Sequence, residues 1–135
     1  MTVPANLVAP LLSQGVVINL AVGASTDDYD LHAAALSAGW DGSSAVTLTC
    51  TVDVGIYIGS TSTATPGFKV GAAFPSGSLL HLINNGFIVG AGGAGGKGIF
   101  NGLFGSSAGT PGSPGGVALD SSDFVLTITN NSTIG

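Results

Sequence analysis

Leu80-His81-Leu82-Ile83-Asn84-Asn85 and Leu126-Thr127-Ile128-Thr129-Asn130-Asn131 share one pattern: apolar residues at alternate positions run into a pair of asparagines, and Ile88 and Ile134 follow in register. Gly55-Ile56-Tyr57-Ile58-Gly59 matches Gly86-Phe87-Ile88-Val89-Gly90 in the same way. Side chains alternate across a strand with period two, and asparagine folds back on its own backbone to make turns. A strand, an Asx turn and a second short strand therefore recur. Such recurrence predicts short strands stacked on one another, as a solenoid-like layer or as a sandwich built of equivalent corners. Because the repeats are few and imperfect, chance similarity among glycine-bounded strands is the competing account.

Outward from these repeats, Val46-Thr47-Leu48-Thr49-Cys50-Thr51-Val52 alternates strictly, with its apolar residues and Cys50 on one face and the threonines on the other. Val16-Val17-Ile18-Asn19-Leu20-Ala21-Val22, bounded by Gly15 and Gly23, predicts an earlier strand. Asp53-Val54-Gly55 is a turn, residues 59–67 form a loop of Ser, Thr and Gly, and Pro75-Ser76-Gly77 turns into a strand over residues 78–83. One short helix is predicted near residues 28–38. Asp27, Asp28 and Asp30 offer N-cap and first-turn carboxylates, and Gly39 supplies the stop. Leu31, Ala34, Ala35 and Ala38 share a small-residue face, and Trp40 is placed to plug the junction between helix and sheet.

Gly90-Ala91-Gly92-Gly93-Ala94-Gly95-Gly96-Lys97-Gly98 is low in complexity, and residues 102–116 continue it, with Pro111 and Pro114 in the same triplet spacing. Glycine loses the most backbone entropy on ordering and has no side chain to bury, so helix and ordinary strand are both disfavoured. What remains is a flexible loop, or an extended polyglycine or polyproline-like run held by backbone hydrogen bonds. Ile99, Phe100, Leu103 and Phe104 interrupt the segment as an apolar anchor, either core within one subunit or a subunit or partner contact. The expected fold is mainly β: a short-stranded sandwich or solenoid-like sheet with one short helix near residues 28–38 and a glycine-rich extended segment. Its expected organisation is a β-rich domain over residues 1–90, a glycine-rich segment over 91–116, and C-terminal strands over 117–135 that return to the sheet or start a distal tip.

Charged residues make up 7% of the 135-residue chain, whose net charge is −5, whereas roughly 25% is usual in globular proteins. Every acid is an aspartate, and the cations are Lys69 and Lys97. Nucleic acid is excluded as a partner, because phosphate binding needs clustered Lys or Arg to release counterions. Ser, Thr, Asn and Gly must cover the exterior in place of the usual charges. Such a surface needs its main chain paired, and stacking of sister copies would pair edge strands. Residues 1–20 lack a basic region before their apolar stretch, so no secretory leader is expected and synthesis without export fits best. No apolar run approaches the ~20 residues of a membrane helix.

The residues point to no chemistry. Cys50 is the lone cysteine, without a disulfide partner or metal cluster, and reads as a small buried hydrophobe. Gly90, Gly92 and Gly95 fit a dinucleotide fingerprint only loosely, because more glycine follows where a helix should open. His32 beside the aspartates could ligate a metal but reads more simply as a solvated helix face favoured by the helix dipole. His81 falls at the outward position of its strand. No nucleophile elbow is present, and the carboxylates are scattered over loops. No catalytic, cofactor-binding or metal residue is therefore assigned, and no cofactor is expected.

Asp28-Tyr29-Asp30-Leu31-His32-Ala33-Ala34-Ala35-Leu36-Ser37-Ala38-Gly39-Trp40-Asp41-Gly42, then Phe74-Pro75-Ser76-Gly77-Ser78, then the Asn84-Asn85-Gly86 strand leading into polyglycine at Gly96, together resemble the receptor-binding or tail-fibre proteins of tailed phages. The resemblance covers residues 16–135. It implies a structural virion protein of a tail fibre or tail tip, assembled in the host cytoplasm. It also implies a homotrimer attached to other phage tail proteins, with surface loops meeting a host receptor, no enzymatic activity and no membrane insertion. Relatives usually run on past the last Ile-Gly into longer polyglycine. This sequence stops at Gly135, so either a distal tip is missing or the chain is a short cap. Competing readings are a capsid decoration or head-fibre protein, a secreted ice-binding or adhesive β-solenoid suggested by Thr47, Thr49 and Thr51, and a polysaccharide depolymerase with converging aspartates.

Overall fold

The computed structural model describes residues 15–98, 101–102, 105–106 and 109–135; Ile99, Phe100, Leu103 and Phe104 lie outside the described residues. The chain winds in coils. The first carries β1 (Val16–Val22), β2 (Thr26–Asp27) and β3 (Tyr29–Asp30), followed by the helix α1 (Leu31–Ser37). The second carries β4 (Val46–Val52), β5 (Tyr57–Gly59) and β6 (Phe68–Lys69). The third runs through β7 (Leu79–Asn84) and β8 (Phe87–Ile88), then β9 (Asn101–Gly102) and β10 (Gly105–Ser106), before closing with β11 (Leu119–Asp120). The fourth carries β12 (Leu126–Asn130) and β13 (Thr133–Ile134).

Equivalent strands stack into three parallel sheets, one per side: β1-β4-β7-β12 on the first side, β2-β5-β8-β13 on the second and β3-β6-β11 on the third. Parallel strands need long connections, and here the rest of each coil is the connection. Leu80 pairs with Leu126 and Asn84 with Asn130, Ile88 pairs with Ile134, and Tyr57 and Ile58 pair with Phe87 and Ile88. The recurrence seen in the sequence is thus the register between rungs, and the architecture is the solenoid-like one. The rungs belong to one chain. The main-chain pairing that composition assigned to sister copies is made between successive coils of the same molecule.

Alternation along each strand sends one set of side chains inward. Leu48, Cys50, Val52, Ile58, Phe68, Leu82 and Ile88 have no exposed surface, and Leu80 has almost none. Removing such side chains from water is worth about 25 cal/mol per Å² of apolar area. Burial pushes the Cys50 thiol up to about 11, which keeps it protonated and unreactive. Burial likewise raises the pKa of Tyr29, whose ring stacks on Phe68. The first corner is an asparagine ladder. Fully buried Asn84 donates through Nδ2 to Asn130 Oδ1 (2.8 Å) and to the Thr133 carbonyl (2.9 Å), while its Oδ1 accepts from the Gly86 N–H (3.2 Å).

The helix is shorter than its sequence signals suggest. Asp28 takes a left-handed conformation (φ 52°) at a corner, and Tyr29–Asp30 joins the third side, so Asp30 alone is the N-cap, accepting from the Ala33 N–H at 2.9 Å. Leu31 and Ala35 are buried, Ala34 is half-buried, and Ala38 is exposed. His32 is not a solvated face: it is half-buried, edge-on to Trp40 (5.2 Å) and Phe74 (5.1 Å). Trp40 fills the junction, stacked on Phe74 at 4.8 Å with its Nε1–H donating to the Ser44 carbonyl at 2.8 Å.

Candidate functional site

Successive coils differ most at the corner between the second and third sides. In the first coil a single residue, Asp28, makes that connection; in the second it is residues 60–67, and in the third residues 89–118. Insertions in stacked repeats collect on one face, which is often the binding face. The three connections touch one another. The Asp28 carboxylate accepts from the Thr61 N–H (3.0 Å) and the Thr61 hydroxyl, contacts that hold its pKa below the usual carboxylate value. Ser60 donates its hydroxyl to the Ser62 and Thr65 carbonyls, closing the loop on itself. The Gly67 N–H donates to the Val117 carbonyl at 3.1 Å, and Gly116 lies so close to Thr63 that a Cβ there would sit 2.8 Å from Thr63 Cα.

From this corner the glycine-rich segment runs out and back as an antiparallel arm. The Gly116 N–H donates to the Ala91 carbonyl (2.7 Å), Ser113 to Ala94 (2.8 Å) and Thr110 to Lys97 (3.1 Å). A bond at every third residue matches the three-residue turn of a polyproline-like helix, whose backbone makes no internal hydrogen bonds and must find them elsewhere. A Cβ on Gly90, Gly93 or Gly96 would collide with the carbonyl of Gly116, Ser113 or Thr110. The triplet spacing of glycine is therefore the condition for the two backbones to approach. Beyond Lys97 and Thr110, β9 and β10 pair antiparallel, Asn101 with Ser106 and Gly102 with Gly105. The expected contact residues Ile99, Phe100, Leu103 and Phe104 lie outside the described residues.

A second concavity, of about 350 Å³, lies on the outer face of the first side, lined by Thr47, Thr49, Ser78, Leu79, His81, Val125 and Thr127 among others. His81 points outward, as alternation requires, but it is half-buried and bonded to the Thr129 hydroxyl at 2.8 Å. That partner is a hydroxyl rather than a carboxylate, so the groove does not reproduce a nucleophile-base-acid relay. Leu79, His81 and Ile83 on β7 separate Thr47, Thr49 and Thr51 on β4 from Thr127 and Thr129 on β12. The flat threonine array that the ice-binding reading requires is therefore interrupted.

Sequence inspection missed the corner where the insertions gather. The signal was present: Ile58 and Ile88 align the coils, and the next alternating strand begins at Leu79 after the one and at Leu126 after the other. No curated protein and no solved structure matches the chain. A repetitive, arm-bearing coil stack suits a family of structural and binding proteins, and residues 17–135 match just such a family. The chain belongs to the phage tail fibre adhesin Gp38 family.

Proposed function

We propose that this protein contributes to host attachment by projecting its glycine-rich arm from the coil stack, with Ile99, Phe100, Leu103 and Phe104 as the apolar contact for a host surface receptor. The observation that carries this reading is that the two insertions of this corner, residues 60–67 and 89–118, lie against each other, the longer of them held by a main-chain bond at every third residue. Bracing residues 91–97 against 110–116 in this way lowers the ordering cost of binding through the arm. Family membership supports a virion tail component that meets other tail proteins and a host receptor. The division at residues 1–90, 91–116 and 117–135 is part of the proposal, with the central segment serving display rather than folding.

A Cβ on Gly90 would sit 3.0 Å from the Val117 carbonyl carbon, so residues 91–116 can be replaced by a short link. The shortened protein should keep its circular dichroism and cooperative melt and should no longer bind host cells. Undiminished cell binding would overturn the proposal, and loss of the melt would overturn the division into display and folding segments. A homotrimer assembled in the host cytoplasm completes this reading, supported by the free outer edges of β1 and β12 among the described residues. Mass photometry of the purified protein tests it, and a stable monomer would remove it.

A further inference from the structure

Ser25, Tyr57, Phe87 and Thr133 occupy successive rungs on the outer face of the second side. Phe87 pairs with both Tyr57 and Thr133, and the Tyr57 N–H donates to Ser25 Oγ at 3.1 Å. The Tyr57 and Phe87 rings are stacked, with centroids 4.5 Å apart and planes 12° apart, and Tyr57 is 52% exposed. Stacking from rung to rung leaves the other face of the Tyr57 ring turned toward the first rung, where exposed Ser25 is too small to cover it. Neighbouring strands lie about 4.8 Å apart, so the level of the first rung beside this ring face is about one aromatic ring thick, and we call it a slot.

Asp27 stands on the same rung, two residues beyond Ser25, hence on the same outer face and about 7 Å along the strand. Its carboxylate lies against Gly59, where a Cβ would sit 2.6 Å from Oδ1. Among the described residues the one ion pair joins Lys69 to Asp30 at 3.5 Å, and no cation reaches Asp27. The chain has no arginine, so a guanidinium to complement this carboxylate has to come from another molecule.

We propose that this slot, walled by the Tyr57 ring and edged by the Asp27 carboxylate, seats an arginine side chain of a partner protein. A guanidinium is planar and one ring thick, is attracted to the negative face of an aromatic ring, and offers paired N–H groups to a carboxylate in its own plane. Lysine matches the charge but not the shape of the gap. A sugar ring matches the shape but not the charge. The slot lies on the coil stack, and its occupancy does not depend on the arm.

The test is an NMR titration of the full chain with acetyl-arginine amide, read at the Tyr57 ring and at the arginine δ-methylene. Saturable shifts are expected, with the methylene moved upfield by the ring current. Asp27→Asn and Tyr57→Leu should each weaken binding about threefold or more, and acetyl-citrulline amide, of the same shape without the charge, should bind weaker by a similar factor. Ser25→Tyr, which fills the gap while leaving Asp27 in place, should abolish the shifts. All these positions are exposed, and unchanged circular dichroism in each variant separates loss of the slot from loss of the fold. The proposal is overturned if no saturable shift is seen, if citrulline binds equally well, if Ser25→Tyr has no effect, or if a neutral methyl hexoside binds the slot more tightly than the arginine amide.

Discussion

The coil stack and the glycine-rich arm both have to pair an extended main chain, and they do it with opposite materials. In the stack, strands pair rung to rung because columns such as Leu48-Leu80-Leu126 and Leu20-Cys50-Leu82 point into a common core. Among the described residues of the arm no such core exists. Two backbones come together because glycine at every third position lets them, and each bond from Gly116, Ser113 and Thr110 marks one turn. The stack should therefore fail when atoms are removed, and the arm when an atom is added.

The largest expected effect is in the stack. Leu82→Ala empties a fully buried position on the central strand β7 and should cost about 2–5 kcal/mol in urea unfolding; a loss below about 1 kcal/mol would mean that the columns do not carry the stack. Next comes the buried ladder at the first corner. Asn84→Ala strands the Gly86 N–H, Asn130 Oδ1 and the Thr133 carbonyl, and about 1–3 kcal/mol should be lost in the same experiment.

In the arm the sign reverses. Gly93→Ala puts a methyl group into the Ser113 carbonyl and should abolish hydrogen-exchange protection of the Ser113 and Gly116 amides. Urea unfolding of the stack should shift by less than about 0.5 kcal/mol. Gly92→Ala, where a Cβ meets nothing within 4 Å, should leave that protection intact. Equal behaviour of the two variants would break the comparison.

The smallest effect belongs to neither region. Asp41 accepts from the Ser44 hydroxyl and from the Ser44 and Ser43 N–H groups, and these bonds hold its pKa down to about 2. A depressed folded pKa stabilises the loop fully above the unfolded value of about 4, and the contribution is lost as pH falls through the folded value. Trp40, the only tryptophan, is bonded to the Ser44 carbonyl, so its fluorescence should change with a midpoint near about 2. Asp41→Asn should remove that transition.

Much of the stack was legible because its signals are local. Strict alternation at Val46–Val52 gave β4 with its buried face, and the Asn-Asn repeats gave the register of β7 on β12. The two-residue strands of the third side were not legible. Tyr29–Asp30 carries helix-start signals, and it becomes strand because Phe68–Lys69 and Leu119–Asp120 stack beside it. His32 was misread for the same reason: Phe74 is distant in sequence and reaches it only once the coil closes.

The sequence by itself determined that the chain is built of short strands turned by asparagine and glycine, that its cations are two lysines without an arginine, and that a triplet glycine run must be extended or unstructured. Those are properties of neighbouring residues and of composition. Tertiary structure alone decided that the strands pair within one chain, that the glycine run folds back on itself, and that residues 60–67 and 89–118 leave from the same corner. Each of these depends on residues a full coil or more apart, where no local pattern reaches and only the closing of the backbone brings partners into contact.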